Sequence, residues 1–594
     1  MILKQLIVGE SRTAAKAAPG VVRRSVFERY YLWCAVALLA AMAAAQFASA
    51  RLDSQVVDES YHITAGYVFL RTGDLNRDTE HPPLAQSLFA LPLLWMHLRL
   101  PAPAGPRYIE EQREIDFLYH NTASPDRILL AARCGNILLT LLLGVVLAWW
   151  SRRHFGAGAS LAALAMFAFD PNFIAHGHFA TTDVGAALGF FTACLSWSAF
   201  LRTGQRSRAA LCGVATGLAL AIKYSAVLLF PVFVYLYCFA WWHQTGNRGF
   251  PPFQHSLRHL AEHLVIVAAA VLPVVFAAFG FQTGAIFPPG AGSAPDWMGM
   301  PYSVRWAAEH LPVAAPGFFH GLFILTRHDL GGHLSYLMGQ TSSTGWWYYF
   351  PVVLAVKTPT GVLLLFLLAA AAAVLAVFKG GIRAAFTKLR ELGPEWHVLT
   401  VPPLFYLLMG MRSHIDIGIR HMLPVYPFLF VWVAAVLFVP RGLPWKRLFS
   451  RAAVVCLALT AVESAAAFPR YLAFFNLPSG GRSYGWHYVA DSNLDWGQDL
   501  KRLRAYVADR GISSVCLGSY VITSDEYLGF PLKPLPASLE QALASGCVVA
   551  ASITHVVEWP LHGRSYEWMA YTPPTGSVAD SFWIYDPRLI GGPR

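Results

Sequence analysis

Long apolar segments recur along almost the whole chain, and they limit the fold more than any other feature of the sequence. Eleven segments are apolar, and most approach the roughly 20 residues that an α-helix needs to cross a bilayer. They are 30–50, 128–150, 159–176, 184–201, 209–222, 225–242, 261–282, 346–378, 397–411, 422–440 and 450–468. The sequence therefore predicts a polytopic α-helical membrane protein with about 11 transmembrane helices.

The composition excludes an ordinary soluble protein. Hydrophobic residues make up 56% of the 594 residues and charged residues only 13%, whereas soluble domains contain roughly 25% charged residues. The net charge of +11 is typical of membrane proteins whose cytoplasmic loops are rich in Lys and Arg and face anionic lipid. No zinc-finger spacing or RNA-binding motif is present, so we expect no nucleic-acid partner.

The basic residues also predict the orientation of the chain. The N-terminal segment 1–29 and five connecting loops rich in Lys and Arg fall on one side of an eleven-helix arrangement, and the positive-inside rule makes that side cytoplasmic. We expect a multi-pass protein of the plasma membrane (the inner membrane of a bacterium) with a transmembrane domain over 30–468 and outer loops 51–127 and 283–345. Ala48-Ser49-Ala50 resembles a signal-peptidase site, but the long apolar segment before it favours an uncleaved helix.

The C-terminal segment 469–594 has a different character. Its charges are nearly balanced, and it contains two short apolar stretches, 514–517 and 547–551, and an amphipathic stretch, 499–509. These patterns predict a small α/β domain outside the membrane, with the C-terminus extracytoplasmic. Cys516 and Cys547 would be able to pair in an oxidising compartment, but the sequence leaves their geometry open.

Two adjacent acids, Asp58 and Glu59, begin the first outer loop. Neighbouring residues on a helix point about 100° apart, so one carboxylate can face a cleft while the other holds the scaffold. Apolar residues within 60–73 and 84–98 predict helices at the membrane interface. A partly desolvated Asp58 there would have a raised pKa and act as a general base near neutral pH.

Asp58-Glu59, Gly73-Asp74 and Glu80-His81-Pro82-Pro83-Leu84 resemble the first outer loop of polyprenyl-phosphate-dependent glycosyltransferases of the C fold. That group includes protein O-mannosyltransferases and the enzymes that add aminoarabinose to lipid A. The resemblance covers about residues 30–500, in a shared order, through the segments 170–172, 181–183, 222–225, 345–351, 357–359, 418–424 and 491–498. The aminoarabinose enzymes have Lys where this chain has His81, so their donor and acceptor cannot be assumed here.

The resemblance implies transfer of a sugar from a lipid phosphate to an acceptor hydroxyl, with inversion. In that pattern Asp58 is the base, Glu59 supports it, and Asp183 is a second acid that orients the acceptor or the base. For Asp183, a role as a helix cap after Thr181-Thr182 is an equal alternative. The implied ligands of the donor phosphate are Arg420, Lys223, Lys357 and His81. For each lysine alone, snorkelling to the membrane surface is the alternative.

Four further residues are candidates for substrate binding. Glu80 belongs to the first loop motif, His333 lies in a Gly-rich loop that would move as a lid, and Trp346 belongs to an aromatic belt that would also stack on a sugar. Asp495 is either a helix cap or an acceptor contact. No His/Cys cluster with zinc spacing occurs, so we predict no metal site and no cofactor, although a divalent cation would be compatible with the reaction.

Two other classes of function remain open. A transporter or lipid flippase would need polar groups along a path near the bilayer midplane, whereas here Asp58, Asp183 and their neighbours are predicted at one membrane surface. A non-catalytic scaffold would use residues 469–594 to bind envelope partners. The expected partners of the enzyme are a lipid-linked sugar donor, membrane lipid and a hydroxyl acceptor on a protein, glycan or lipid. The sequence does not identify the sugar, the acceptor or the oligomeric state.

Overall fold

Apolar α-helices form most of the structure. The computed structural model describes residues 26–101, 110–245, 253–288, 301–378, 393–438, 446–519, 521, 523–562 and 566–590. Among these residues, seven helices are long and apolar enough to cross a membrane, and a pair of helices bent by 111° makes an eighth if the pair is one span. The predicted membrane protein with a helical core is therefore confirmed.

Among the described residues, the helices of the membrane domain follow the predicted apolar segments closely. They are Val26–Leu52, Pro125–Ala168, Pro171–His178, Asp183–Thr203, Arg206–Ile222, Leu229–Thr245, Phe253–Ala278, Tyr349–Lys357, Thr360–Phe378, Pro394–Gly410, Tyr426–Phe438 and Lys446–Ala467, with short 3-10 turns at Tyr224–Leu228 and Ile419–Val425. The count of eleven spans stays a prediction. Of the basic segments that predicted the orientation, residues 1–25, 246–252, 379–392 and 439–445 lie outside the described residues.

One predicted segment, 159–176, is not a single helix. Its first part is the stretch of Pro125–Ala168 that follows Gly156, whose non-helical dihedral angles (φ 85°, ψ 174°) kink this run into two helices. A second helix, Pro171–His178, follows after a break. The break has a local cause, because Pro171 has no N–H to donate and the Asp170 side chain accepts from the Asn172 and Phe173 amides, which caps the new helix.

The described residues of the loop 51–127 form short helices that pack on the helical domain. These are Val57–Thr72, Pro83–Ala90 and Glu110–Tyr119, with a 3-10 turn at Leu91–Met96. Nine of the 16 residues of Val57–Thr72 are buried. Gly66 allows this close packing, since a Cβ atom there would stand 2.1 Å from the Gln86 carbonyl oxygen.

The loop 283–345 contains two small antiparallel strand pairs and two helices among its described residues. Strand Thr283–Gly284 pairs antiparallel with Val313–Ala314, and Ser335–Leu337 pairs antiparallel with Gln340–Ser342. The helices are Tyr302–His310 and Pro316–Gly331. The Gly-rich sequence around His333 joins the second helix to the second hairpin.

The C-terminal part contains a small α/β domain, as predicted. Its five-stranded sheet has the order Leu532–Lys533, Val515–Gly518, Val548–Ser552, Phe582–Tyr585 and Gly576–Val578, in which the first three strands are parallel and the others antiparallel. The helices are Leu500–Asp509, Asp525–Leu528, Leu539–Ser545, Ile553–Val557, Trp559–His562 and Glu567–Tyr571. A disulfide joins Cys516 to Cys547, with Cα atoms 5.9 Å apart.

The stretch before the sheet packs with the membrane helices. Tyr471, Leu472 and Trp496 belong to the core of the helical domain, whereas the core of the sheet domain begins with Leu500. Segment 471–496 therefore follows the last long helix, Lys446–Ala467, and runs across the ends of the other membrane helices. This course brings the motif 491–498 to the candidate site.

Candidate active site

Four charged side chains from separate segments meet at one end of the helical domain, and we call them the charge cluster: Asp58, Asp183, Lys223 and Arg420. Arg420 Nη1 lies 2.5 Å from Asp58 Oδ2 and 3.8 Å from Asp183 Oδ2. Lys223 Nζ lies 2.5 Å from Asp183 Oδ1. The cluster thus alternates two carboxylates with two cations, which is an arrangement able to bind both a hydroxyl and a phosphate.

Asp58 is the accessible acid of the cluster. Its side chain is 20% exposed, whereas that of Asp183 is 1% exposed. Asp58 lies at the start of helix Val57–Thr72, which is fixed where the Val57 amide donates to the Trp496 carbonyl at 3.2 Å. Of the two acids, Asp58 is therefore the better placed to reach a substrate hydroxyl.

The electrostatics of Asp58 differ from the prediction. Burial raises the pKa of Asp58, but the positive charge of Arg420, together with His62 and His81, outweighs burial and holds the pKa below its usual value. The predicted raised pKa is therefore wrong, because a local sequence pattern does not reveal a cation from a distant segment. Asp58 is ionised at neutral pH.

Glu59 points away from Asp58 and holds the scaffold. Arg133 Nε and Nη2 donate to its two carboxylate oxygens at 2.8 and 2.7 Å, and both side chains are fully buried. The Val56 and Ala180 amides also donate to Glu59, at 3.0 and 2.9 Å. The supporting role predicted for Glu59 fits these contacts, since they fix the turn on which Asp58 sits.

Asp183 lies in the first turn of helix Asp183–Thr203, after the cap residue Thr182, and Thr182 makes no side-chain capping bond. The carboxylate of Asp183 instead faces Lys223 and Arg420. Its Oδ2 atom is buried without a hydrogen-bond partner among the described residues. These contacts favour a place in the site over a purely capping role.

Arg420 is held by the C-terminal segment. Its guanidinium carbon lies 4.2 Å from the ring centroid of Trp496, which orients the planar group by stacking. The Ile419 amide donates to Asn493 Oδ1 at 2.9 Å. Arg420 Nε is buried and has no hydrogen-bond partner among the described residues, so it retains a donor for an anion.

Lys223 and Lys357, which are equal candidates by sequence, have different surroundings in the structure. Lys223 lies in the charge cluster with a 17% exposed side chain. Lys357 is 1% exposed and donates to the Leu472 and Asn493 carbonyls at 2.8 and 2.6 Å. Its Nζ also lies 4.5 Å from the Phe475 ring centroid. Lys357 therefore neither reaches the membrane surface nor is available to bind a phosphate. Its hydrogen bonds connect the C-terminal segment to the helices.

We expect Lys357→Met to lower stability without weakening donor binding. The change leaves two buried carbonyl groups without a donor, at a cost of about 1–3 kcal/mol for each group. Thermal unfolding in detergent and the KM for a lipid-phosphate sugar measure the two effects. Lys223→Met is the contrasting variant, and we expect it to raise the donor KM because Lys223 lies in the charge cluster. A raised KM at full stability for Lys357→Met would contradict this assignment.

His81 and Glu80 lie beside the cluster and contact other side chains of the loops. His81 Nδ1 is 3.1 Å from Asp78 Oδ1. The Glu80 carboxylate lies 3.3 Å from His328 Nδ1. The hydrogen bond with Glu80 raises the pKa of His328. His81 is thus kept near Asp58, while Glu80 joins the first loop to helix Pro316–Gly331.

The remaining candidates differ in their surroundings. His333 is half-buried, and its ring lies 5.5 Å from that of His328. The Trp346 amide donates to Asp416 at 2.7 Å.

Asp495 is fully buried and accepts from Ser552 and from the Gly497 amide, and burial raises its pKa to about 7. Asp495 therefore joins the sheet domain to segment 491–498 and is inaccessible to an acceptor.

A cavity of about 720 Å³ adjoins the cluster through His81 and through Tyr224, the residue after Lys223. One part of its wall is apolar and the other is polar. The apolar residues include Phe69, Leu75, Phe279, Ile286 and Phe287, and the polar ones include Asp74, Asn76, Gln282, Glu309 and His320. A wall of this mixed kind suits an amphipathic ligand.

Sequence reasoning missed three residues that shape this site: His62, Asp78 and Trp496. His62 lies one helical turn after Asp58 on the same helix, and that spacing was a usable signal. Asp78 lies three residues before His81 and contacts both histidines. No sequence pattern pointed to Trp496, because its contact with Arg420 joins two segments that lie far apart in the sequence.

Comparison with known families supports a glycosyltransferase. Residues 75–285 match the model of the dolichyl-phosphate-mannose-protein mannosyltransferase family. The match confirms the resemblance to polyprenyl-phosphate-dependent glycosyltransferases in a segment that contains His81, Asp183 and Lys223, while Asp58 and Arg420 lie outside it. No curated protein matches the chain significantly.

Three solved structures show a distant similarity to the chain. The structure of ArnT from Cupriavidus metallidurans bound to undecaprenyl phosphate is 15% identical, with 94% of this chain and 99% of that chain covered and a TM-score of 0.43. The apo form of ArnT gives the same identity and coverage with a TM-score of 0.44. The Archaeoglobus fulgidus oligosaccharyltransferase tethered with an acceptor peptide is 13% identical, with 74% of this chain and 56% of that chain covered and a TM-score of 0.37.

Proposed function

We propose that the protein transfers a sugar from a polyprenyl-phosphate donor to an acceptor hydroxyl at the outer face of the membrane, with inversion at the anomeric carbon. The observation that carries the proposal is the contact between Asp58 and Arg420, with Asp183 and Lys223 beside them. The family match over 75–285 supports the donor class. A lipid donor requires a site near the bilayer surface, and all four residues lie at helix ends.

Each residue of the cluster has a defined part in the proposed reaction. The acceptor oxygen forms a bond to the anomeric carbon as the bond from that carbon to the phosphate oxygen breaks, and Asp58 accepts the hydroxyl proton. Arg420 and Lys223 stabilise the charge on the departing polyprenyl phosphate, and His81 is placed to assist. Asp183 holds the two cations in position. One base with direct displacement gives inversion.

Donor binding would also activate the base. In the free protein, Arg420 is paired with Asp58 at 2.5 Å, and the pairing keeps the Asp58 carboxylate weakly basic. A phosphate that binds Arg420 would compete for the same guanidinium donors. The pKa of Asp58 would then rise in the complex, so the base gains strength only when the donor is present.

This coupling gives a pH dependence with a defined sign. Because Arg420 holds the pKa of Asp58 below its usual value in the free protein, the base stays ionised, and we expect kcat/KM for the donor to be constant from pH 7 down to about pH 5. In the donor complex the pKa is higher, so kcat should begin to fall at a higher pH than kcat/KM does.

Steady-state rates between pH 4.5 and pH 8, with thermal stability measured at each pH as the control, test the coupling. If kcat and kcat/KM begin to fall at the same acid pH, donor binding does not change the pKa of Asp58. A fall in kcat/KM above pH 6 would contradict the lowered pKa.

The proposed location is the inner membrane of a bacterium, with the N-terminus in the cytoplasm and the C-terminal domain outside. The basic loops support this orientation. The Cys516–Cys547 disulfide supports it independently, because disulfides persist mainly in oxidising compartments.

The experiment that tests the function is a transfer assay with purified protein in detergent. Short-chain polyprenyl-phosphate sugars serve as donors, and a mixture of peptides, glycans and lipids serves as the acceptor pool. We expect release of polyprenyl phosphate that depends on both donor and acceptor. Absence of release with every donor would contradict the proposal and favour a transporter or a scaffold. We propose no cofactor for the transfer step itself, since the cluster supplies both the base and the phosphate ligands.

A further inference from the structure

A second group of side chains, next to the charge cluster, has the composition of a metal site. His62, Asp78 and His81 each offer one ligand atom, and these atoms lie within 4.8 Å of one another. His62 Nδ1 is 3.0 Å from Asp78 Oδ2, and His81 Nδ1 is 3.1 Å from Asp78 Oδ1. The two rings pack edge to face with centroids 4.5 Å apart.

The fold fixes the three residues from two neighbouring segments. His62 lies in the second turn of helix Val57–Thr72, and its side chain is 2% exposed. Asp78 and His81 lie in the connection to helix Pro83–Ala90, and Gln86 Nε2 of that helix donates to Asp78 Oδ2 at 2.7 Å. Metal ligands need this kind of support from surrounding hydrogen bonds.

From this geometry we propose that His62, Asp78 and His81 form a binding site for one divalent transition-metal ion, with Zn²⁺ as the best fit. Two imidazole nitrogens and one carboxylate are a donor set that zinc sites use, and they disfavour Mg²⁺ and Ca²⁺, which prefer oxygen ligands. Bonds of about 2.0–2.2 Å around a tetrahedral ion put ligand atoms roughly 3.3–3.5 Å apart. The two contacts, each to a different oxygen of Asp78, need to lengthen by a few tenths of an ångström, and the ligand atoms, which lie within 4.8 Å of one another, need to close to that spacing around the ion.

The position of the group leaves room for a further ligand. Asp78 and His81 line the cavity of about 720 Å³, so the fourth coordination position of the ion opens towards it. An ion with three protein ligands and one open position can bind water or an anionic oxygen. The inference does not depend on sugar transfer, because it concerns the ligand atoms alone.

No pattern in the sequence indicates this site. The spacing of 16 residues between His62 and Asp78 matches no common zinc motif, and the prediction of no metal site considered only such spacings. The contact of Gly66 with Gln86 brings helices Val57–Thr72 and Pro83–Ala90 together. This packing places the imidazole of His62 beside Asp78.

Metal analysis of purified protein tests the proposal. Protein in detergent is treated with a chelator, loaded with Zn²⁺, passed through a desalting column and analysed by elemental mass spectrometry. We expect about one zinc per chain for the wild type and at least a tenfold lower content for Asp78→Asn and His62→Ala. His320→Ala is the matched control, because His320 lines the same cavity outside the group, and it should retain the ion.

A second measurement separates loss of the ligand from loss of the fold. Thermal unfolding with and without added Zn²⁺ should show a higher Tm with zinc for the wild type and for His320→Ala, and no shift for Asp78→Asn. Mg²⁺ should shift none of the three. Equal zinc content and equal Tm shifts in wild type and Asp78→Asn, with both proteins folded, would overturn the proposal and leave the group as a hydrogen-bonded His–Asp–His network.

Discussion

The Asp58→Asn variant is expected to lose sugar transfer while keeping its fold and its affinity for the donor. The amide cannot accept the hydroxyl proton as a carboxylate does, and general-base catalysis contributes about 10²–10⁴-fold to a rate. We therefore expect kcat to fall by about that factor. Because Asp58 is 20% exposed, the change leaves no buried cavity. The assay is the release of polyprenyl phosphate by the purified variant.

Two comparisons make the result specific. Asp116→Asn changes an acid of the same loop, whose carboxylate hydrogen-bonds His120 one turn away, and it should transfer sugar at the wild-type rate. Donor binding to Asp58→Asn, measured by competition with polyprenyl phosphate, should be unchanged or tighter, because Arg420 is released from its partner. Equal transfer by wild type and Asp58→Asn would remove Asp58 from the mechanism and direct attention to Asp183.

The second large effect is expected from the buried pair of Arg133 and Glu59. Arg133→Met leaves the Glu59 carboxylate buried and uncompensated, and breaking such a pair costs about 3–5 kcal/mol. Thermal unfolding in detergent should show a Tm well below that of the wild type. Arg127→Met is the control, because Arg127 is exposed on the same helix, and its effect should stay within about 0.5 kcal/mol.

A double variant shows how much of this loss comes from Glu59. Replacing both partners, as in Arg133→Met with Glu59→Leu, removes the uncompensated charge. Arg133 also donates to the carbonyl groups of Ala50, Asp53 and Ser54, at 2.6, 2.9 and 2.6 Å. Recovery should therefore be partial. Full recovery would mean that these three hydrogen bonds contribute little, and no recovery would mean that they dominate.

The behaviour of the two adjacent acids could be predicted from their positions alone. Neighbouring residues on a helix diverge by about 100°, and the structure accordingly has Asp58 20% exposed and Glu59 fully buried. The apolar segments likewise predicted the helices, because a bilayer-length helix is a local property of about 20 residues. The strands around Cys516 and Cys547 followed from short apolar stretches. The break at Pro171 was equally local, although the predicted segment 159–176 ran through it.

The spatial partners of the charged residues could not be predicted in the same way. Lys223 and Lys357 each lie at the C-terminal end of an apolar helix, yet one joins the charge cluster and the other donates to two carbonyl groups of the C-terminal segment. The difference depends on where the segment 471–496 runs. No pattern near either lysine carries that information.

The sequence by itself determined the helical membrane domain, the small α/β domain and the resemblance of the first loop motifs to polyprenyl-phosphate-dependent glycosyltransferases, because periodicity, composition and motifs are properties of neighbouring residues. Only the tertiary structure decided that Arg420 faces Asp58 across 362 positions of the chain, that the pKa of Asp58 is lowered, and that His62 meets Asp78 and His81. Charge interactions depend on distances in space, and those distances are set by helix packing between segments that lie far apart in the sequence.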